Sequence, residues 1–324
     1  MSFSTSILKT FSFLLFFSFF VCPCFAHEPK RLNIVASFSI LGDITKEIGG
    51  EFVDVITIVG PNGDAHVYEP TPQDAQKLAH ADLVIINGLG FEGWLDRLIK
   101  ASGYKGEIIT ATQNIQPRYD HTGCACKHGT HHLDPHAWHA LENAKKYAST
   151  IQEGLSKKDP KHNSDYIKKR VTFHQKCDDL HRKTQKKMIH IPDKKRLVIT
   201  THDGFGYLGE SYNICFLSPV GLSTDADPSA KKMAEIIDYV TKHNIHTVFL
   251  ENITSPKLMQ QIVDETNASI GPVLYSDALS DANGPAKTYL EMMAYNIDCL
   301  IQGMKDPPPP PLSSSSALTL QKID

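Results

Sequence analysis

Short β-branched runs alternate with amphipathic stretches of helical spacing along almost the whole chain, and this alternation constrains the fold more than any other feature. Leu32 to Phe38, Val53 to Val59, Asp82 to Asn87 and Glu107 to Ala111 read as strands, with helices at Leu41 to Gly49, Gln73 to Ala81 and Trp94 to Ser102 between them. Near-continuous apolar strands separated by helices predict a parallel sheet covered on both faces. The pattern returns in the second half, with strands at Leu197 to Thr201, Cys215 to Leu217, His246 to Glu251 and Val273 to Tyr275. Its helices are Ser229 to Lys242, Pro256 to Thr266 and Pro285 to Met304. Pro72 and Pro228 each open a passage of helix, strand, turn and helix, so two related α/β lobes are expected.

Between the halves, Lys161 to His190 contains neither Gly nor Pro. Val171, Cys177, Leu180, Thr184 and Met188 give it a thin apolar stripe. A helix of that length reaches ~40 Å, enough to run along both lobes and limit hinge motion. The expected organisation is a signal peptide at 1–26, an N-terminal α/β lobe at 27–158 and a long linking helix at 159–191. A C-terminal α/β lobe at 192–305 and a flexible Pro/Ser-rich tail at 306–324 complete it.

The export signal rests on Lys9 followed by the apolar run Phe11 to Val21, which is short of the ~20 residues a spanning helix needs. Cleavage is expected after Ala26, placing the mature chain in the periplasm. A lipid anchor at Cys22 is disfavoured because the bulky Val21 precedes it. With 41 % apolar and 21 % charged residues, the 324-residue chain is neither disordered throughout nor a multi-span membrane protein. A net charge of −3 with no basic stripe excludes nucleic acid as a partner.

Cys124, Cys126, Cys177, Cys215 and Cys299 remain after the signal, an odd number that leaves at least one thiol free. A Cys215–Cys299 pair is one possible connectivity. Cys124-Ala125-Cys126 is compatible with soft-metal binding, a local disulfide or a plain loop.

The histidines sort by position. His162, His174, His181, His190 and His243 fall among charges on helices and read as solvated side chains, and His80 and His246 flank strands. His66, His136 and His202 instead occupy loops after strands, and Asp277 follows the strand expected at Val273 to Tyr275. Ligands collect at the carboxyl ends of strands in open α/β sheets. With two of the four residues on each lobe, they converge only in the cleft between lobes. Three imidazoles and one carboxylate suit a borderline divalent cation. Neutral imidazole is the binding form, so affinity is expected to fall as pH drops through ~6.5.

Four segments carry a more specific signal: HVYEPTP at 66–72, DPHAW at 134–138, THDGFGY at 201–207 and SDALS at 276–280. In order, spacing and lobe assignment they resemble the metal-ligand segments of the zinc/manganese solute-binding proteins of bacterial ABC importers, the ZnuA/TroA-like family. The resemblance extends from about Leu32 to Met304. It implies His66, His136, His202 and Asp277 as metal ligands, with one zinc or manganese ion carried per chain as transported cargo. It also implies two lobes bridged by one long helix, a monomer, and delivery to a membrane permease. The His/Cys segment at 121–132 is short for the zinc members, and His139 stands where the family more often has an apolar residue. That segment reads either as a weak metal-capturing arm or as an inert polar loop. His139 reads as a solvated helix start.

A metal-dependent hydrolase is the rival class. It would keep an open coordination position and a nearby base. No HExxH or G-x-S-x-G motif occurs, although Glu69 and Glu251 are available acids. A metal-buffering or adhesin-type protein on the same scaffold is the third reading. The expectation is a carrier rather than an enzyme, with zinc favoured over manganese.

Overall fold

The structure is a computed structural model that describes residues 31–119 and 132–305. The expected signal peptide, the Pro/Ser tail and most of the His/Cys segment lie outside the described residues. The first sheet is built from β1 (Leu32–Phe38), β2 (Val53–Val59), β3 (Leu83–Ile86) and β4 (Glu107–Thr110). These strands are linked by α1 (Ser39–Gly49), α2 (Pro72–Ala79) and α3 (Leu95–Ser102), and the strand order is β2-β1-β3-β4, all parallel. Thr71 caps α2: its hydroxyl accepts the Asp74 N–H while the Asp74 carboxylate accepts the Thr71 N–H, and Pro72 occupies the first turn.

Two long helices follow, α4 (Leu141–Lys158) and α5 (Asn163–Met188). The second sheet contains β5 (Leu197–Ile199), β6 (Cys215–Leu217), β7 (Thr247–Val248) and β8 (Ser269–Ile270). Its helices are α6 (Gly206–Tyr212), α7 (Ala230–Lys242), α8 (Lys257–Asp264) and α9 (Tyr289–Met304). The order β6-β5-β7-β8, again all parallel, repeats that of the first sheet. Two parallel four-stranded sheets flanked by helices agree with the two-lobed α/β expectation. Among the described residues no helix is long and apolar enough to cross a membrane.

Several expected boundaries move for local reasons. Val273 to Tyr275 is not a ladder strand; the fourth strand is β8, and Leu274 forms only an isolated bridge with Glu251. Gly271 N–H still donates to the Val248 carbonyl and Leu274 N–H to that of Leu250, but three residues separate these donors where a regular strand has two, so the ladder breaks between them. The last helix starts at Tyr289 rather than Pro285, because Thr288 and Glu291 form a capping box there. In α5 the buried residues are Tyr166, Phe173, Cys177, Thr184 and Met188, at successive spacings of seven and four. Val171, expected in that stripe, is 43 % exposed. The cysteine pairing also differs: Cys299 and Cys177 are buried free thiols, whereas Cys215 is in a disulfide with neither of them.

Helix α5 spans ~39 Å at 1.5 Å per residue and packs on α1 and α4 from the first half and α9 from the second. The main core is continuous across this junction, running from Ile34 and Trp138 through Phe173 to Phe249, Tyr289 and Leu300. A smaller core, including Ile199, Met233, Val248 and Met259, lies within the second lobe alone. Hydrogen bonds cross the junction as well. Trp138 Nε1–H donates to the Ser276 carbonyl at 3.0 Å, the Tyr289 hydroxyl to the Trp138 carbonyl at 2.7 Å, and Asn62 N–H to the Leu279 carbonyl at 2.9 Å.

Asp43 on α1 accepts the Tyr289 N–H at 2.7 Å, tying α1 to the start of α9. Burial raises its pKa to about 6, outweighing that hydrogen bond. The folded protein therefore holds a proton on Asp43 that the unfolded chain has already released between pH ~4 and ~6, and stability from this group falls as pH rises through that window. Asp43→Asn keeps an acceptor without the charge. It should be more stable than wild type by ~2–3 kcal/mol at pH 7.5, a gain that shrinks toward zero by pH 4. Urea denaturation at the two pH values measures this.

Candidate metal centre

Four loops deliver the side chains singled out in the sequence. His66 lies beyond β2, His136 before a short 3₁₀ turn at Ala137–His139, His202 between β5 and α6, and Asp277 between β8 and α9. The structure brings all four together, with one donor atom from each lying within 4.8 Å of the others. His136 does not directly follow a sheet strand as expected. Leu133 upstream makes only an isolated bridge with Tyr119. His132, the described member of the His/Cys segment, is exposed and outside the cluster.

Each loop is fixed before its ligand atom is considered. Asp64 accepts the His66 N–H at 2.9 Å, and Trp94 Nε1–H donates to the Ala65 carbonyl at 2.8 Å. Asn87 Nδ2–H holds the Pro135 carbonyl at 3.0 Å, and its own side-chain oxygen takes the Tyr147 hydroxyl. Gly204 passes so close to the His202 ring that a Cβ there would sit 2.6 Å from Nε2.

The imidazole orientations follow from acceptor-only partners. His136 Nδ1–H donates to Asp134 Oδ1 at 2.8 Å, and His202 Nδ1–H to Glu251 Oε2. A carboxylate cannot donate, so the proton sits on Nδ1 and the Nε2 lone pair faces inward. His66 Nε2 and His202 Nε2 each lie 3.2 Å from His136 Nε2. Asp277 Oδ2 is 3.1 Å from His66 Nε2 and 3.4 Å from His202 Nε2, while Oδ1 is 3.7 Å from His136 Nε2. Neither Asp277 oxygen receives a well-aligned hydrogen bond, although the carboxylate is fully buried. The inward lone pairs of His136 and His202, His66 Nε2 and the Asp277 carboxylate therefore face one point, an arrangement that a cation or protons satisfy. An ion held tetrahedrally at ~2.0–2.1 Å keeps its ligands ~3.3 Å apart, which the five spacings bracket.

Electrostatics agree. Burial alone would depress the His202 pKa, but Glu251 and Asp277 together hold it well above the ordinary imidazole value. Burial would raise Asp277, and the imidazoles of His202 and His136 hold it well below the carboxylate range. Asp134 is likewise lowered against its burial by His136 and Arg118.

Sequence reasoning missed the residues behind the donors. Asp134 stands inside the DPHAW segment, and Glu251 reads from the sequence only as an available acid, whereas its carboxylate supports His202. Nothing in the sequence singled out Arg118, which pairs with Asp134 at 2.6 Å. His162, His174 and His181 are half-buried and hydrogen-bonded to Asp159, the Lys145 carbonyl and the Tyr212 hydroxyl, not simply solvated.

His139 also departs from expectation. It is fully buried between Trp138 and Phe205, and neither ring nitrogen has a hydrogen-bond partner. Burial pushes its pKa down to about 3. The folded state keeps this ring neutral while the unfolded chain takes up a proton, so stability is lost as pH falls below ~6.5 toward 3. His139→Phe should remove that loss, improving on wild type by ~2 kcal/mol more at pH 5 than at pH 7.5. Chemical denaturation at both pH values checks the difference.

Comparison with known proteins places this geometry in context. A family model described as zinc-uptake complex component A, periplasmic, matches residues 34–303. The manganese-binding lipoprotein MntA of Halalkalibacterium halodurans is 29 % identical over 280 residues, covering 86 % of this chain and 90 % of that protein. The iron-binding protein YfeA of Yersinia pestis is 29 % identical over 279 residues, 85 % of this chain and 86 % of that one. A solved structure of a manganese-bound periplasmic metal-binding protein from Candidatus Liberibacter asiaticus superposes with a TM-score of 0.75 at 30 % identity, covering 85 % of this chain and all of that one. The periplasmic zinc-binding protein TroA from Treponema pallidum shares the fold at a TM-score of 0.77 and 24 % identity, over 85 % of this chain and 99 % of that one. The chain thus belongs to the family of periplasmic zinc-uptake component A, the non-enzymatic metal-binding components of ABC importers.

Proposed function

We propose that this protein captures one divalent transition-metal ion between His66, His136, His202 and Asp277 in the periplasm and, as a monomer, hands it to a membrane permease. The observation that carries the reading is the convergence of three imidazole nitrogens on a buried carboxylate that receives no well-aligned hydrogen bond. The closed set favours carriage over hydrolysis, because a catalytic ion needs a position left for water. Both carboxylates behind the imidazoles are already engaged as supports.

Zinc is the first candidate cargo. Three imidazole nitrogens and spacings near the tetrahedral edge suit its size and ligand preference. Manganese is the second, supported by the two Asp277 oxygens, which both face the cluster and offer the added oxygen ligand that ion favours. Relatives named for manganese and for iron are consistent with a site that accepts several divalent ions.

Titration of the chelator-stripped chain with zinc and manganese separately should give one equivalent bound in each case. His66→Ala should weaken binding at least ~100-fold, since a removed ligand costs more than the 10–100-fold typical of a supporting residue. Wild-type affinity in that variant would refute the ligand set. Because His202 holds a proton above the ordinary imidazole range, an ion entering near neutral pH must displace it. Binding in weak buffer at pH 7 should therefore release about one proton per ion, and affinity should keep rising above pH ~6.5 instead of levelling there.

A further inference from the structure

Arg118 stands at the end of the first lobe's loop, immediately before the bridge between Tyr119 and Leu133. Among the described residues its guanidinium reaches in two directions. Nη1–H donates to Asp134 Oδ2 at 2.6 Å, and Nε–H donates to Glu210 Oε1 on α6 at 3.0 Å. Its backbone is held just as firmly. The Arg118 N–H donates to the Tyr207 hydroxyl at 3.0 Å, and its carbonyl accepts the Asp134 N–H at 3.0 Å. The Tyr207 hydroxyl in turn donates to the Asp134 carbonyl at 3.2 Å.

These contacts join the support of His136 to the helix that follows His202 in the other lobe. Asp134 Oδ2 takes the guanidinium, and its other oxygen, Oδ1, accepts both the His136 N–H at 2.9 Å and the His136 ring Nδ1–H at 2.8 Å. Helix α6 begins only four residues after His202. A surface ion pair does little for positioning, but Asp134 is fully buried and the Arg118 side chain is 7 % exposed. Charge-assisted hydrogen bonds in such surroundings are strong and directional.

Residue 206 supplies an independent sign that the guanidinium has one permitted place. A Cβ on Gly206 would fall 1.7 Å from Arg118 Nη1 and 2.3 Å from Cζ. Only glycine at the first position of α6 lets the guanidinium lie against that turn and still reach Asp134.

We propose that Arg118 is a positioning residue for metal capture, fixing Asp134, and through it the His136 imidazole, against the helix that follows His202. The inference rests on the reading of His136 and His202 as metal ligands. Donors from both lobes are thereby held at one spacing before the ion arrives. Supporting residues of this kind change metal affinity by about 10–100-fold without touching the ion.

The test uses the full chain, stripped with chelator, and Co²⁺ as the probe, since the intensity of its visible bands reports coordination geometry. Wild type, Arg118→Met, Arg118→Lys, Gly206→Ala and His66→Ala are compared by chelator competition, Co²⁺ spectrum and thermal unfolding. Arg118→Met and Gly206→Ala should unfold cooperatively yet bind Co²⁺ about 10–100-fold more weakly, with altered visible bands. Arg118→Lys, which keeps the charge but loses the two-pronged geometry, should fall between them and wild type. A folded Arg118→Met with wild-type affinity and spectrum would overturn the proposal. So would a wild-type Gly206→Ala beside a weakened Arg118→Met, because the charge alone would then be acting. Should Arg118→Met not fold, Gly206→Ala decides by the same two readouts. Unchanged binding in His66→Ala would instead sink the ligand reading, whatever Arg118 does.

Discussion

Four electron-rich atoms converge on one point, and the rest of the architecture can be understood as what holds them there against their mutual repulsion. Four of the donor pairs lie 3.1–3.4 Å apart, yet the Asp277 carboxylate receives no well-aligned hydrogen bond from the imidazoles beside it. Left to relax, such groups would turn away. Asp134 and Glu251 prevent the rotation of His136 and His202, and the loop before His66 is pinned by Asp64 and Trp94. The ordering is met during folding, so it need not be met again when an ion enters.

That arrangement works only if the two sheets keep their relative placement, because each contributes two donors. The continuous core along α5 meets this need. Spacings of seven and four along Tyr166, Phe173, Cys177, Thr184 and Met188 keep one seam of the helix inward over most of its length. Trp138 shows how closely site and scaffold are joined. It lies two residues after His136, packs on Phe38 and Phe91, and bonds across to Ser276, next to Asp277. The apolar faces of α7 and α8 join only the smaller core and contribute nothing to this junction.

Much of this was legible in the sequence because it depends on local signals. Strand and helix periods placed the first sheet to within a residue or two, and the four donors stood out as chemistry-bearing residues in loops that open α/β sheets use for ligands. What stayed hidden depends on long-range approach. Arg118 sits far from Glu210 in sequence, and no spacing rule connects them. Glu251 looked like any acid at a strand end, though the fold aims it at a backbone N–H and a ring Nδ1 of His202. His139 looked solvent-facing because a histidine beside a helix start usually is. Here Phe205, from the other lobe, covers it. The end of β8 has a local cause of another kind: Val273 to Tyr275 is apolar enough for a strand, but the donors to the neighbouring strand are Gly271 and then Leu274, a spacing of three that breaks the two-residue period of the ladder.

Charge balance brings the buried groups to one account. Arg118 neutralises Asp134, so that carboxylate supports His136 without adding net charge near the centre. Asp277 and Glu251 remain, two carboxylates that among the described residues pair only with imidazoles. On the proposed reading, a divalent ion displacing the His202 proton would balance the charges of Asp277 and Glu251, whereas a monovalent ion would leave one of them uncompensated in a low-dielectric interior. Charge balance at these carboxylates and the stiffness of the junction that carries the three imidazoles would then act as separate filters, one on the ion's charge and one on its size.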